Sequence, residues 1–378
     1  MNITVLCSHV PDPRMSKRIR SLSKISSDLS VIYWDRTHGQ GFKIEEFESA
    51  NCLKLDASNE RNFVKRSLES RSLLRRSSRI LKERRPEMIY VSGIECMPAA
   101  RRMKRVCGSH IVLEIADLPA NSYTERFSFL SKPLEALVNR EVSSADSIVI
   151  TSPYYYIDYY NHRTRFKEEE VFLFENVPEQ SVFSGFKKKP HDIFRVAFIG
   201  GVRYFDSIRT LFEAGKGIDG LEVLIAGKGP DYERVLELSK TYSNVKITGE
   251  YNYKKEIVSL YSEIDLVYAV YNTKGINERL ALPNKLYEAI VCGIPIVVSK
   301  GTCLEKYVKE LGVGFSVSDG DVDELRTLFL DIIGAGNCQL RRISKKESEI
   351  KEGFFYENIE QKFLEWISAK VMSKTRGD

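Results

Sequence analysis

No part of the chain approaches the roughly 18 consecutive apolar residues that a membrane-crossing helix needs, so no transmembrane segment is expected. Its apolar start, Ile3-Thr4-Val5-Leu6, is too short for a signal-peptide core and has no basic region before it, which predicts a protein that stays where it is made. Histidine is scarce, with five in the chain, and none cluster at metal-ligand spacing. The seven cysteines, at positions 7, 52, 96, 107, 292, 303 and 338, are odd in number and include no Cys-x-x-Cys pair. A disulfide framework and a zinc site are therefore not expected. Most of these cysteines sit in apolar stretches and read as buried reduced thiols, so the expectation is a cytoplasmic protein with no metal site. There is no repeat of fixed period and no low-complexity tract, which excludes solenoid architectures.

What the chain does contain is ordinary globular composition, 43% hydrophobic and 29% charged, over 378 residues, enough for two core-forming domains. Strand-like runs alternate with helical stretches throughout. In the first half they are Ile3 to Cys7, Leu29 to Trp34, Met88 to Ser92, His110 to Glu114, Ser147 to Thr151 and Val171 to Phe174. In the second half they are Arg195 to Gly200, Leu221 to Ala226, Val245 to Thr248, Leu266 to Ala269, Ile294 to Ser299 and Gly314 to Val317. That alternation predicts a doubly wound α/β architecture with parallel sheets. Residues 178–193, polar and punctuated by Pro and Gly, read as a linker between a first domain, 1–177, and a second, 194–352. Two such domains facing each other form a cleft at the carboxyl ends of their strands. Residues 353–378 read as a C-terminal helix with aromatic and aliphatic side chains at helical spacing.

The most informative stretch is Glu278 to Ser299, ERLALPNKLYEAIVCGIPIVVS. Leu282-Pro283-Asn284 supplies a turn, a proline suited to a helix edge and an amide suited to capping it. Helix follows from Lys285, Gly293 stops it, and Ile294 to Val298 is an apolar β-branched run of the kind buried in parallel sheets. Such a helix start offers free N–H groups to a phosphate, and Glu288, one turn inside, is placed to bond something attached to it. A nucleoside diphosphate with its ribose has that geometry.

This stretch resembles the donor-site signature of retaining GT-B glycosyltransferases, in particular glycosyltransferase family 4. The likeness extends to Asp12-Pro13-Arg14-Met15 near the N-terminus, to Glu87 to Val91, to Phe198-Ile199-Gly200-Gly201-Val202-Arg203 and to the Gly-x-Gly-Pro turn at Gly227-Lys228-Gly229-Pro230. The order and spacing of these motifs over some 300 residues carry the resemblance. It implies two Rossmann-like domains facing across a cleft, with acceptor bound by the first and nucleotide sugar by the second. It also implies a last helix crossing back onto the first domain, where the sequence alone reads a plain core-facing helix.

For the site, the resemblance implies that Glu288 accepts hydrogen bonds from the ribose hydroxyls. The family's second glutamate, eight residues earlier and in contact with the donor sugar, is here Leu280, and Glu278 reaches the sugar only if the loop is differently shaped. Arg203 suits bidentate contact with the diphosphate. For the family's second cation the candidates are Arg209 and Lys285, Lys285 the weaker because helix-surface lysines are commonly solvated. Gly201, Leu282, Pro283 and Asn284 complete the donor loop. Gly227 and Lys228 shape the nucleotide-base wall, with Thr248-Gly249-Glu250 offering backbone groups; no third glycine follows, which disfavours a nicotinamide site. In the first domain the family's histidine position carries Ala116 and Asp117, and Asp117 is the candidate catalytic group, an acceptor or base toward the acceptor hydroxyl. Tyr154, Tyr155, Tyr156, Tyr159 and Tyr160 read as an interface or core face in preference to a sugar-stacking platform. No cofactor is implied beyond the nucleotide-sugar substrate, and no metal, because cations and helix dipole do the neutralising. The activity implied is a metal-independent retaining glycosyltransferase, hexosyltransferase-like, acting on a glycan or lipid-linked acceptor in polysaccharide biosynthesis. The alternative is a catalytically silent nucleotide-sugar-binding or scaffold subunit.

Charge is concentrated in one place. Residues 54–105 carry fifteen Lys and Arg against six Asp and Glu, a net of +9 in a chain of net +5. At about 100° per residue, Arg61, Lys65, Arg71, Arg75, Arg76, Arg79 and Lys82 share one side of a helix with Val64 and Leu68, while Phe63, Leu73, Leu74, Ile80 and Leu81 face the other way. A basic face with two aliphatics fits an anionic bilayer, giving a peripheral protein on the inner face of the membrane through residues 61–85. No nucleic-acid motif or aromatic interleaving accompanies the charge, and nucleic acid is not expected as a partner.

Overall fold

A computed structural model describes residues 1–36, 50–58, 63–118 and 131–375; of residues 63–67, 131 and 372–375 only the backbone is described. The chain divides into two compact units, Met1–Glu175 with Ile359–Asp378, and Asn176–Asn358.

The first unit is built on seven parallel strands: β1 Asn2–Cys7, β2 Asp28–Asp35, β3 Ala50–Asp56, β4 Met88–Ser92, β5 His110–Ile115, β6 Ser147–Ile150 and β7 Val171–Leu173. Their order is β3-β2-β1-β4-β5-β6-β7, with Val5 of β1 in register with Val31 on one side and Tyr90 on the other. The central strands β1, β4 and β5 are buried at every position but Asn2, and mostly apolar, because helices cover both faces. β3 lies at the sheet edge with most of its residues half-buried or exposed, and its ANCLKLD sequence lacks the β-branched run of its neighbours. It is the one strand that the sequence pattern did not predict. The order in which strands are added reverses between β1 and β4, the topological switch point at which such sheets bind ligands.

The C-terminal helix, Tyr356–Thr375, contributes Phe363 to this unit. Its ring meets those of Phe174 at 5.1 Å, Phe172 at 5.4 Å and Tyr90 at 6.1 Å. Glu360 accepts from Ser21 Oγ at 2.7 Å and pairs with Lys24, also at 2.7 Å.

The second unit has six parallel strands: β8 Phe194–Ile199, β9 Leu221–Ala226, β10 Val245–Gly249, β11 Leu266–Ala269, β12 Ile296–Ser299 and β13 Gly314–Val317. Their order is β10-β9-β8-β11-β12-β13, so its switch point falls between β8 and β11. Phe194, Val196, Phe198, Phe212, Tyr268 and Phe329 fill its core. Residues 178–193, read from sequence as a linker, are packed into this unit. Phe183 is buried with its ring 6.3 Å from that of Tyr261, Lys188 pairs with Asp265 at 3.0 Å and Lys189 with Glu263 at 2.8 Å. The polar composition reflects surface ion pairs.

Candidate donor and acceptor sites

At the carboxyl end of β8 the backbone loops interlock. Gly200 N–H donates to Ala226 O at 2.9 Å, Val202 N–H to Lys228 O at 3.1 Å, and Gly227 N–H to Gly249 O at 2.7 Å. Gly227, at φ +131°, has room for no side chain, since a Cβ there would lie 2.0 Å from Gly200 O; one on Gly229 would lie 2.3 Å from Val202 O. These glycines thus let two loops pack backbone to backbone, which fixes the loop carrying Gly200 to Arg203. The Arg203 side chain is exposed and folds along Gly201, with Nη2 3.4 Å from where a Cβ would stand. Lys228 is solvated and 3.8 Å from Glu250. Arg209 is likewise exposed and paired with Asp206 at 3.1 Å on its own helix, Phe205–Gly215.

Facing this loop is the Asn284–Cys292 helix. Pro283, at φ −78° and ψ 152°, is the residue before its first turn, and no side chain caps it; Asn284 is an exposed first-turn residue and not the cap that its amide suggested. Leu286 N–H donates to Pro283 O at 3.0 Å, and the N–H groups before it have no side-chain cap, which leaves them to solvent or a ligand. Gly293 ends the helix at φ +66°. Every residue from Lys285 to Cys292 is buried, and that removes the reason for ranking Lys285 low. Its ammonium lies over the Phe198 ring at 3.7 Å, 5.3 Å from the Tyr271 ring centre and about one atomic contact from Gly200, at 4.0 Å from the ideal Cβ position there. Burial pushes its pKa down to about 7, with Arg203 lowering it further and Glu288 opposing.

Glu288 is 5% exposed and its two carboxylate oxygens accept from Tyr253 OH at 2.8 Å and Tyr261 OH at 2.9 Å. A carboxylate has about four acceptor positions, so capacity remains for a ligand hydroxyl. Burial, then the Glu288 charge, holds both phenols well above their ordinary range, so they are donors at every relevant pH. Tyr253 and Tyr261 come from a separate helix, Tyr253–Ser262, and no sequence signal pointed to them. Leu282 is buried, and Leu280 is 8% exposed. Glu278, in the short Ile276–Leu280 helix, has Oε2 buried without a hydrogen-bond partner among the described residues.

In the first unit, the end of β5 carries a buried ionic cluster. Glu114 accepts from Arg14 at 2.7 Å, from Arg18 at 3.2 Å and from the Tyr90 hydroxyl. Asp12 caps the Pro13–Ser23 helix, accepting from Met15 N–H at 2.7 Å. Arg18 is 1% exposed and stacks 3.1 Å from the Phe174 ring centre. Two residues beyond β5, Asp117 is exposed in a bend; Ala116 O accepts from Thr151 Oγ1 at 2.9 Å. Tyr155, Tyr159 and Tyr160 are buried within a π-helical turn, Tyr155–Tyr160, as core residues.

The Phe63–Arg84 helix buries Leu73, Ser77 and Leu81. Arg71, Arg75, Arg76, Arg79 and Lys82 are all exposed, and Leu68 is 58% exposed among them. Arg61 and the side chains of Phe63, Val64 and Lys65 lie outside the described residues. Among the described residues no helix is long and apolar enough to cross a membrane.

The architecture matches solved structures along almost its whole length. Sucrose-phosphate synthase from Thermosynechococcus elongatus superposes with a TM-score of 0.76 at 15% identity, covering 99% of this chain and 100% of that one. Anabaena HepE in complex with UDP-glucose superposes with a TM-score of 0.71 at 16% identity, covering 98% and 100%. The chain has the GT-B fold. Within it, residues 193–334 match the family model described as glycosyl transferases group 1. The GT-B chain is also 20% identical over 341 residues to the succinoglycan biosynthesis protein ExoL of Rhizobium meliloti strain 1021, covering 87% of this chain and 84% of that protein. The family-matched segment contains the Gly200 loop, Lys285 and Glu288.

Proposed function

We propose that this chain is a glycosyltransferase that moves a sugar from a nucleoside-diphosphate donor, held by the second unit, to a glycan or lipid-linked acceptor, held by the first, with retention at the anomeric carbon. The observation that carries the reading is the convergence at one sheet switch point of two cations, Arg203 and Lys285, an uncapped helix start and a buried carboxylate one turn on. The cations and the helix start would meet the diphosphate, and Glu288 the ribose. Charge that builds on the leaving diphosphate as the glycosidic bond breaks would be neutralised by Arg203 and Lys285, which makes the reaction metal-independent. Glu278, with its unpartnered oxygen, is the carboxylate nearest in sequence to the donor-sugar position left apolar by Leu280. Asp117 would act on the acceptor hydroxyl. The HepE complex supports a nucleotide-sugar donor, and the succinoglycan relative supports polysaccharide biosynthesis.

Incubation with UDP-, GDP-, ADP- and CMP-sugars tests the reading. Slow donor hydrolysis without acceptor, accelerated by one, is the expected outcome. Tight binding of a nucleotide sugar with no turnover across many acceptors would indicate a silent binding subunit.

The same proposal places the protein on the cytoplasmic face of a membrane through the exposed basic helix. Each basic residue near an anionic surface contributes about 1 kcal/mol. Wild-type protein should co-sediment with anionic vesicles at low salt, less at high salt and poorly with neutral vesicles. The variant with Arg71, Arg75, Arg76 and Arg79 all changed to Gln should lose most of that binding. Equal binding by both proteins, or none by either, would make the stripe a solvated helix face.

A further inference from the structure

The Lys285 ammonium differs from the other cations of the donor site. Arg203 is exposed and Lys228 is 57% exposed, whereas Lys285 is 8% exposed and sits between the rings of Phe198 and Tyr271. Among the described residues it enters no salt bridge within 4.0 Å, and Glu288, one turn along the same helix, already receives a hydroxyl on each oxygen. The groups facing it are few. Its own helix presents Glu288; the loop after β8 presents the fixed positive charge of Arg203 and the Gly200 backbone; β8 presents the Phe198 ring and the segment after β11 the Tyr271 phenol. Glu288 and the faces of the two rings favour the ammonium, Arg203 opposes it, and together they offset only part of the cost of desolvation.

We propose that Lys285 is neutral in a large fraction of empty donor sites near neutral pH and takes up a proton from solvent as the diphosphate of a nucleotide sugar binds beside Gly200 and Arg203, so that donor binding consumes a proton. This rests on the donor reading above and adds to it a pH dependence. The depressed pKa near 7 agrees with the geometry, and a bound diphosphate brings the counter-charge that the empty site lacks. The linkage also has a sign in the empty protein. The unfolded chain keeps this proton up to its ordinary value of 10.5 while the folded chain releases it near 7, so this group makes stability rise with pH between those values.

Two measurements test the proposal. Lysine Cε resonances of the wild-type protein, with the Lys285 signal identified by its loss in Lys285→Met and in Lys285→Arg, should include one that titrates near neutral pH; a midpoint above about pH 9.5 overturns the proposal. Calorimetry with UDP-glucose and GDP-mannose in buffers of different ionisation heat should show uptake of about half a proton at pH 7, rising toward one at pH 8.5, with affinity falling about tenfold per pH unit above pH 8. These donors carry pyrophosphate diesters that do not titrate near neutrality, so the proton is the protein's. Lys285→Arg and Lys285→Met should each lose both the uptake and the alkaline rise in stability, because neither side chain releases a proton in this range. Binding without proton uptake overturns the inference and leaves the donor reading intact. A lysine that titrates near neutral pH in a protein that binds neither UDP-glucose nor GDP-mannose overturns the donor reading, and the uptake with it.

Discussion

Changing Glu288 to Gln is expected to lower kcat/KM for the nucleotide-sugar donor about ten- to a hundredfold, the loss of a charged hydrogen bond costing about 1.5–3 kcal/mol. The substitution is chosen because it keeps the shape of the side chain. A carboxamide oxygen can still accept from one of the two phenols, and its NH2 group can donate to the other, so the Tyr253 hydroxyl and the buried Tyr261 hydroxyl keep partners. Truncation to Ala would instead strand the Tyr261 hydroxyl, which is fully buried, and mix a stability loss of about 1–3 kcal/mol into the kinetics. Arg203→Ala should produce a loss of similar size with no change in thermal stability, because the guanidinium is exposed and lies on Gly201 without filling a core. Donor kinetics and melting temperatures measured on both variants check this. Unchanged kinetics in both would remove the assignment of the donor site.

These residues were not equally visible in the sequence. The buried strands were legible because helices on both faces demand continuous apolar runs, and such runs as Val196 to Ile199 and Ile296 to Val298 are hard to read otherwise. β3 was not, because an edge strand with little burial leaves no pattern. Glu288 was legible through a motif. Lys285 was misjudged for a local reason: its neighbours show helical periodicity, and periodicity assumes an outer face, but this helix is buried on all sides. The Tyr253 and Tyr261 hydroxyls reach Glu288 from another helix, 35 and 27 residues away in sequence, and nothing local encodes that contact. The Gly227-Lys228-Gly229-Pro230 turn was read as shaping the nucleotide-base wall; the first service of its glycines is room for another loop of the same chain.

That last point carries a measurable consequence. Gly227→Ala should be the most damaging single methyl group that can be added to the second unit's binding loops. The residue sits at φ +131°, where an L side chain is strained, and the new Cβ would stand 2.0 Å from the Gly200 carbonyl oxygen. Backbone strain of about 1–3 kcal/mol and overpacking of about 1–3 kcal/mol combine to about 2–6 kcal/mol. For a unit of this size that is a fall in melting temperature of about 4–24 °C. Two controls separate the contributions. Gly217→Ala, at φ +66° with nothing within 4 Å, carries the conformational cost alone, and Gly185→Ala, with open space and no positive φ, carries neither. The expected order of stability loss is Gly227, then Gly217, then Gly185 near zero. Relief of the clash must move Gly200, and with it the loop that positions Arg203 against the buried Lys285. Gly227→Ala should therefore also lose donor binding at temperatures where it remains folded, while Gly217→Ala keeps it. Wild-type donor affinity in folded Gly227→Ala would mean that the interlocked loops do not set the geometry of the site.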